Sequence, residues 1–123
     1  MIDDVFEPGK KGRVTEAYHA AYPNPLTVSA GELLTYGRKD SRWPGWIWCT
    51  NWEGKGGWVP ERFMMIDGKD CTVQRDYTAR ELSVHVGDLL TLRELESDWY
   101  LASDQSGKSG WVPAKDVEIL DET

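Results

Sequence analysis

Cysteine, histidine and long apolar runs are all scarce in this chain, and each scarcity removes a class of function. Two cysteines, Cys49 and Cys71, among 123 residues are too few for a disulfide scaffold or for a tetrahedral zinc site built from cysteine. Their flanks, Trp-Cys-Thr and Asp-Cys-Thr, read as strand, where a thiol packs as a small apolar group. The two histidines, His19 and His85, have no cysteine, carboxylate or second histidine at metal-ligand spacing, so no metal is expected. No apolar run approaches the roughly 18–20 residues that cross a bilayer. The start, Met-Ile-Asp-Asp, carries acids where a secretory leader needs bases. The expectation is a cytoplasmic protein with no membrane partner.

Catalytic signatures are missing too. The chain has no Gly-x-Ser-x-Gly elbow, no His-Glu-x-x-His helix, no phosphate loop and no dinucleotide fingerprint. Carboxylates are plentiful, yet nothing sets two of them in an apolar environment that would separate their pKa values. No catalytic residue and no cofactor are expected. This is a chain that binds rather than catalyses.

Charge is present and unevenly spread. The formal net charge is −7. Residues 12–66 hold six lysines and arginines against five acids, whereas residues 69–120 hold six against ten. An acidic surface repels phosphates, which disfavours nucleic acid and anionic membranes. A charged partner of the second half would be basic.

Self-similarity sets the domain count. Gly31-Glu-Leu-Leu-Thr recurs as Gly87-Asp-Leu-Leu-Thr, and Gly57-Trp-Val-Pro recurs as Gly110-Trp-Val-Pro. Leu26-Thr-Val matches Leu82-Ser-Val, and Trp46-Ile-Trp-Cys matches Trp99-Tyr-Leu-Ala. The spacing changes only between Tyr36 and Trp46, where the first copy has a longer turn-rich loop. Each copy reads as short strands, Gly31–Tyr36, Gly45–Asn51 and Trp58–Pro60 in one, Asp88–Glu94, Trp99–Ser103 and Gly110–Pro113 in the other. Pro60 and Pro113 end a strand and start a short helical turn. The reading is all-β: two consecutive small barrels, 12–66 and 73–120, after an N-terminal extension at 1–11. The connection at 67–72 is very short, with a turn signal at Asp67-Gly68, and a fixed orientation of the two barrels is expected from it.

The order of landmarks resembles the Src homology 3 (SH3) family. Copy one reads Val14-Thr-Glu-Ala-Tyr18, Pro25-Leu-Thr-Val28, Gly31-Glu32, Trp46-Ile47 and Gly57-Trp-Val-Pro60. Copy two reads Val73-Gln-Arg-Asp-Tyr77, Glu81-Leu-Ser-Val84, Gly87-Asp88, Trp99-Tyr100 and Gly110-Trp-Val-Pro113. The paired, divergent form looks like the variant SH3 proteins of bacteria. The resemblance implies a peptide groove walled by Tyr18, Trp46, Trp58, Pro60 and Phe63 in copy one. In copy two it implies Tyr77, Trp99, Trp111 and Pro113, with Glu81 at the place of the family's ligand-arginine partner. Copy one has no carboxylate between Tyr18 and Gly31, and copy two has Asp116 in place of the distal tyrosine. A polyproline II peptide is already extended and ordered, so aromatic ridges bind it at low entropic cost.

Strand alternation places Trp46 and Trp48 on one face and Ile47 and Cys49 on the other. Cys49, Val59, Met64, Ala102, Val112 and Val117 are expected in the core, and Trp46 and Trp99 are expected to point outward at the groove. The expected partner is a protein or peptide, proline-rich or basic, bound by a monomer or weak dimer. Two alternatives stay open: a cell-wall-binding module, as in bacterial SH3 relatives, and an assembly part whose tryptophans are buried between repeats.

Overall fold

Segments that alternate apolar and polar residues between glycine-rich turns form strands throughout, because alternate side chains can then enter a core. The computed structural model describes residues 6–21 and 25–120. In chain order the strands are β1 (Lys11–Val14), β2 (Thr27–Val28), β3 (Leu33–Lys39), β4 (Trp46–Thr50), β5 (Gly56–Pro60) and β6 (Met64–Asp67). Then follow β7 (Asp70–Val73), β8 (Tyr77–Thr78), β9 (Leu89–Glu96), β10 (Trp99–Ser103), β11 (Ser109–Pro113) and β12 (Val117–Ile119). Single 3-10 turns, Glu61–Phe63 and Ala114–Asp116, follow Pro60 and Pro113 at the expected places. Among the described residues there is no α-helix.

The chain divides into two compact units that do not follow the repeat boundaries. One is continuous, residues 22–80; the other is discontinuous, residues 1–21 with 81–123. In the continuous unit the sheet order is β5-β4-β3-β7-β6, with β2 paired to β8. In the discontinuous unit it is β11-β10-β9-β1-β12. The first strand of each repeat therefore completes the sheet of the other. β1 pairs antiparallel with both β9 and β12, Gly12 facing Leu90 and Ile119. β7 pairs in the same way with β3 and β6, Cys71 facing Leu34 and Ile66. The limits 12–66 and 73–120 describe repeats in sequence, whereas each unit draws on both.

Equivalent patterns make this exchange possible. Lys-Gly-Arg-Val in β1 and Asp-Cys-Thr-Val in β7 both read exposed, buried, exposed, buried. Either strand can fill the same slot, and exchanging like for like preserves every ladder while turning two loop tips into connections. The paired arms of each tip consequently come from different repeats. Tyr18 bridges Val84 in the discontinuous unit, and Val28 faces Tyr77 in the continuous one.

The segment expected as a linker, 67–72, is not one. It supplies the turn and most of β7 in a hairpin with β6, where Asp67 faces Asp70 and Gly68 takes a left-handed φ of 65°. The extension expected at 1–11 contributes too, as far as it is described. Phe6 packs on Tyr100 with ring centroids 5.7 Å apart, and the Gly9 N–H donates to the Leu92 carbonyl at 2.7 Å. Residues 1–5 lie outside the described residues.

Each unit has its own core. Val14 packs with Leu82, Val84, Leu90, Leu92, Ala102 and Val112. The continuous unit buries Leu26, Leu34, Ile47, Cys49, Val59, Cys71 and Val73. The six side chains assigned to the core from strand parity are all buried. Burying one valine stabilises by about 1.5–3 kcal/mol, so Val14 and Val73 tie the exchanged strands in place.

Candidate functional site

The exchange regroups the aromatic side chains expected to wall the grooves. Tyr18 meets Trp99, which belongs to the other repeat, edge-on with centroids 5.6 Å apart. Its hydroxyl donates to Glu81 Oε1 at 2.7 Å, and the same oxygen accepts the Ala21 N–H at 2.9 Å. Trp99 faces Pro113 across β10–β11, and the Leu82 N–H donates to the Trp111 carbonyl. Tyr18, Glu81, Trp99, Trp111 and Pro113 thus belong to the discontinuous unit. Tyr77 joins the continuous unit, meeting Phe63 at 5.6 Å and donating its hydroxyl to the Trp58 carbonyl at 2.7 Å. Trp46 faces Pro60 there, and the Arg75 guanidinium lies 4.1 Å above the Phe63 ring.

Depth differs from expectation. Trp46 is 5% exposed, Trp99 8% and Trp111 3%; Phe63, Tyr77, Pro60 and Pro113 are buried as well. Strand parity does put Trp46 and Trp99 opposite the core residues Ile47 and Tyr100, but it fixes a direction and not a depth. Trp46 and Trp99 thus point away from the core as expected, with little of either open to solvent. Among the ten expected site residues only Tyr18, Trp58 and Glu81 are half-buried. Asp116, at the place of the family's distal tyrosine, is 2% exposed and accepts from Lys115 Nζ at 2.8 Å. That bond raises the Lys115 pKa.

The charges sort by unit even more sharply than by repeat. Residues 22–80 carry eight lysines and arginines against seven acids, a formal +1; the discontinuous unit carries six against fourteen, a formal −8. The loop between β3 and β4 shows the contrast. In the continuous unit it runs Asp40–Gly45, flanked by Arg38 and Lys39 and containing Arg42. In the discontinuous unit β9 turns into β10 through Ser97-Asp98 alone, both at positive φ, as a two-residue hairpin of the twist-matching kind requires. Its neighbours are Glu94 and Glu96.

One cluster was not anticipated. The Arg38 guanidinium lies 5.6 Å from the Trp48 ring centroid and 5.2 Å from that of Trp58, and the two rings meet edge-on at 5.2 Å. The signal available in sequence was that Trp48 shares its strand face with Trp46. What hid Arg38 was a bulge between Tyr36 and Arg38, which shifts the register by one so that Arg38 faces Trp48.

Nothing here supplies a reactive thiol. Burial, with Cys71 adding to it, pushes the Cys49 thiol up to about 12, and burial raises Cys71 too; the thiolate is the nucleophilic form. His19 and His85 lie with ring centroids 6.3 Å apart, both exposed. Among the described residues no group of three or more metal-ligating side chains comes together.

Comparison with protein families gives two matches. Residues 11–67 match the model of the variant SH3 domain, and residues 73–114 match that of the SH3 domain. Neither the curated proteins nor the solved structures include a match to this chain. The chain belongs to the SH3 family, with two all-β SH3-like domains in tandem. Domains of this family are typically non-enzymatic binding modules.

Proposed function

We propose that this SH3 pair is a non-catalytic protein-binding module whose discontinuous unit takes basic peptide segments at Glu81. The observation that carries this reading is how Glu81 is held. Tyr18 and Ala21 both donate to Oε1, while Oε2 has no partner among the described residues. A half-buried carboxylate fixed by two donors is a preorganised acceptor, and a guanidinium or ammonium meets it in a charge-assisted bond. The formal −8 of this unit favours a cation's approach and disfavours nucleic acid. The buried tryptophans make the polar rim, rather than an open aromatic floor, the recognition surface. The test is titration with a blocked proline-rich peptide carrying a single arginine. Glu81→Gln is expected to weaken binding about tenfold and to flatten its salt dependence. Unchanged affinity and unchanged salt slope would remove the reading.

The low exposure of Trp46, Trp99 and Trp111 favours a second reading, an assembly part with its aromatic surface already packed. An assembly part of that kind takes up none of the arginine peptide.

A further inference from the structure

We infer that the outer face of the continuous unit is a docking site for acidic peptide segments, built on Arg38, Trp48 and Trp58. Three adjacent strands present these residues on one rung: Arg38 faces Trp48 across β3–β4, and Trp48 faces Trp58 across β4–β5. Directly paired residues of an antiparallel sheet point to the same side. Both tryptophans are half-buried and Arg38 is exposed, so the guanidinium caps a rigid aromatic floor.

Two glycines leave the room that Trp48 takes up. A Cβ on Gly56 would lie 2.5–2.7 Å from atoms of the Trp48 indole, and one on Gly37 would lie 2.6 Å from the Trp48 carbonyl oxygen. The indole occupies the space that a side chain at 56 would need. The platform is therefore set before any ligand arrives, which lowers the entropic cost of binding.

The charge at this face is uncommitted. Arg38, Lys39 and Arg42 are exposed and none has an ion pair among the described residues. The one acid of the loop, Asp40, is turned inward: its Oδ1 accepts the Arg42 and Trp43 N–H groups at 2.7 and 3.0 Å. A guanidinium stacked on aromatic faces keeps its N–H edge free for a carboxylate, which it grips with two parallel bonds. An apolar or proline residue next to that carboxylate would lie on the tryptophan rings. The discontinuous unit has no counterpart. There Glu94 faces Leu101, and Leu101 faces the buried Trp111.

Bases beside aromatics also suit single-stranded nucleic acid. A formal charge of −7 over the whole chain opposes a polyanion, and it opposes a short peptide with one or two carboxylates far less. An acidic peptide is therefore the occupant. This site is separate from Glu81, and its ligand has the opposite charge.

The experiment is titration of the full chain with a blocked octapeptide of alternating glutamate and proline. Its glutamine counterpart and oligothymidylate are the comparison probes. The glutamate peptide is expected to bind, the glutamine peptide to bind at least tenfold more weakly, and Arg38→Ala to lose about tenfold. Arg38→Lys should lose less, because it keeps the charge but not the planar fork. Each variant is shown to be folded by its thermal transition. No binding of the glutamate peptide at millimolar concentration, equal binding of the glutamine peptide, or unchanged affinity in folded Arg38→Ala would each overturn the proposal. Tighter binding of oligothymidylate than of the glutamate peptide would also overturn it.

Discussion

At equivalent positions the two units keep an apolar inside and change the outside. Leu34 and Leu90, Ile47 and Tyr100, and Val59 and Val112 are buried in both. On the outer face the continuous unit sets Leu33 and Met65 on either side of Thr72, at 56% and 64% exposure. The discontinuous unit has Leu89 and Glu118 on either side of Arg13, whose guanidinium pairs with Glu118 at 3.5 Å. Arg38 in one unit stands where Glu94 stands in the other. A six-residue loop in one is a two-residue turn in the other. Packing constrains the buried positions because a methylene gained or lost there is felt. Outer positions carry no such penalty, so two copies of one fold are free to acquire opposite charge.

The largest effect expected from breaking this comparison comes from the exchanged strands. Val14→Ala should destabilise the unit that holds residues 81–120, and Val73→Ala the unit that holds 25–80, each by about 2 kcal/mol from lost burial and an unfilled cavity. Residue-resolved hydrogen exchange checks this at Leu92 and Val112 against Ile47 and Val59. Loss of protection in the valine's own repeat, rather than in the opposite one, would reverse the assignment.

A smaller effect separates the units by pH. The Cys49 thiol, raised from 9.0 to about 12, is held neutral in the folded state while the unfolded thiol ionises. Its stabilisation is fully present below pH 9 and is lost as pH rises toward 12. The loss should be about 1 kcal/mol between pH 9 and pH 10. Urea melts at the two values should show a larger loss in the parent than in a Cys49→Ala, Cys71→Ala variant, because burial raises both thiols. An equal loss in that variant would place its origin elsewhere, for instance at Tyr100 of the discontinuous unit, which burial also raises.

Much of the fold was legible because it is written locally. Gly-Glu-Leu-Leu-Thr and Gly-Trp-Val-Pro mark strands and turns wherever they occur, and prolines 60 and 113 announced the 3-10 turns. The exchange was not legible, because the strands ending in Val14 and Val73 carry the same pattern and nothing local says which sheet each enters. Site residues suffered for the same reason: Tyr18 was grouped with Trp46 by proximity in sequence and lies against Trp99 in space. Arg38 was missed because a bulge, which sequence spacing does not reveal, decides what it faces.

The central claim is that each unit is assembled from both repeats, and cross-strand NOEs in the full chain test it most directly. Strand exchange predicts NOEs between Gly12 and Leu90 and between Leu34 and Cys71. NOEs between Gly12 and Leu34 and between Cys71 and Leu90 would mean that each repeat closes on its own first strand, and would contradict it.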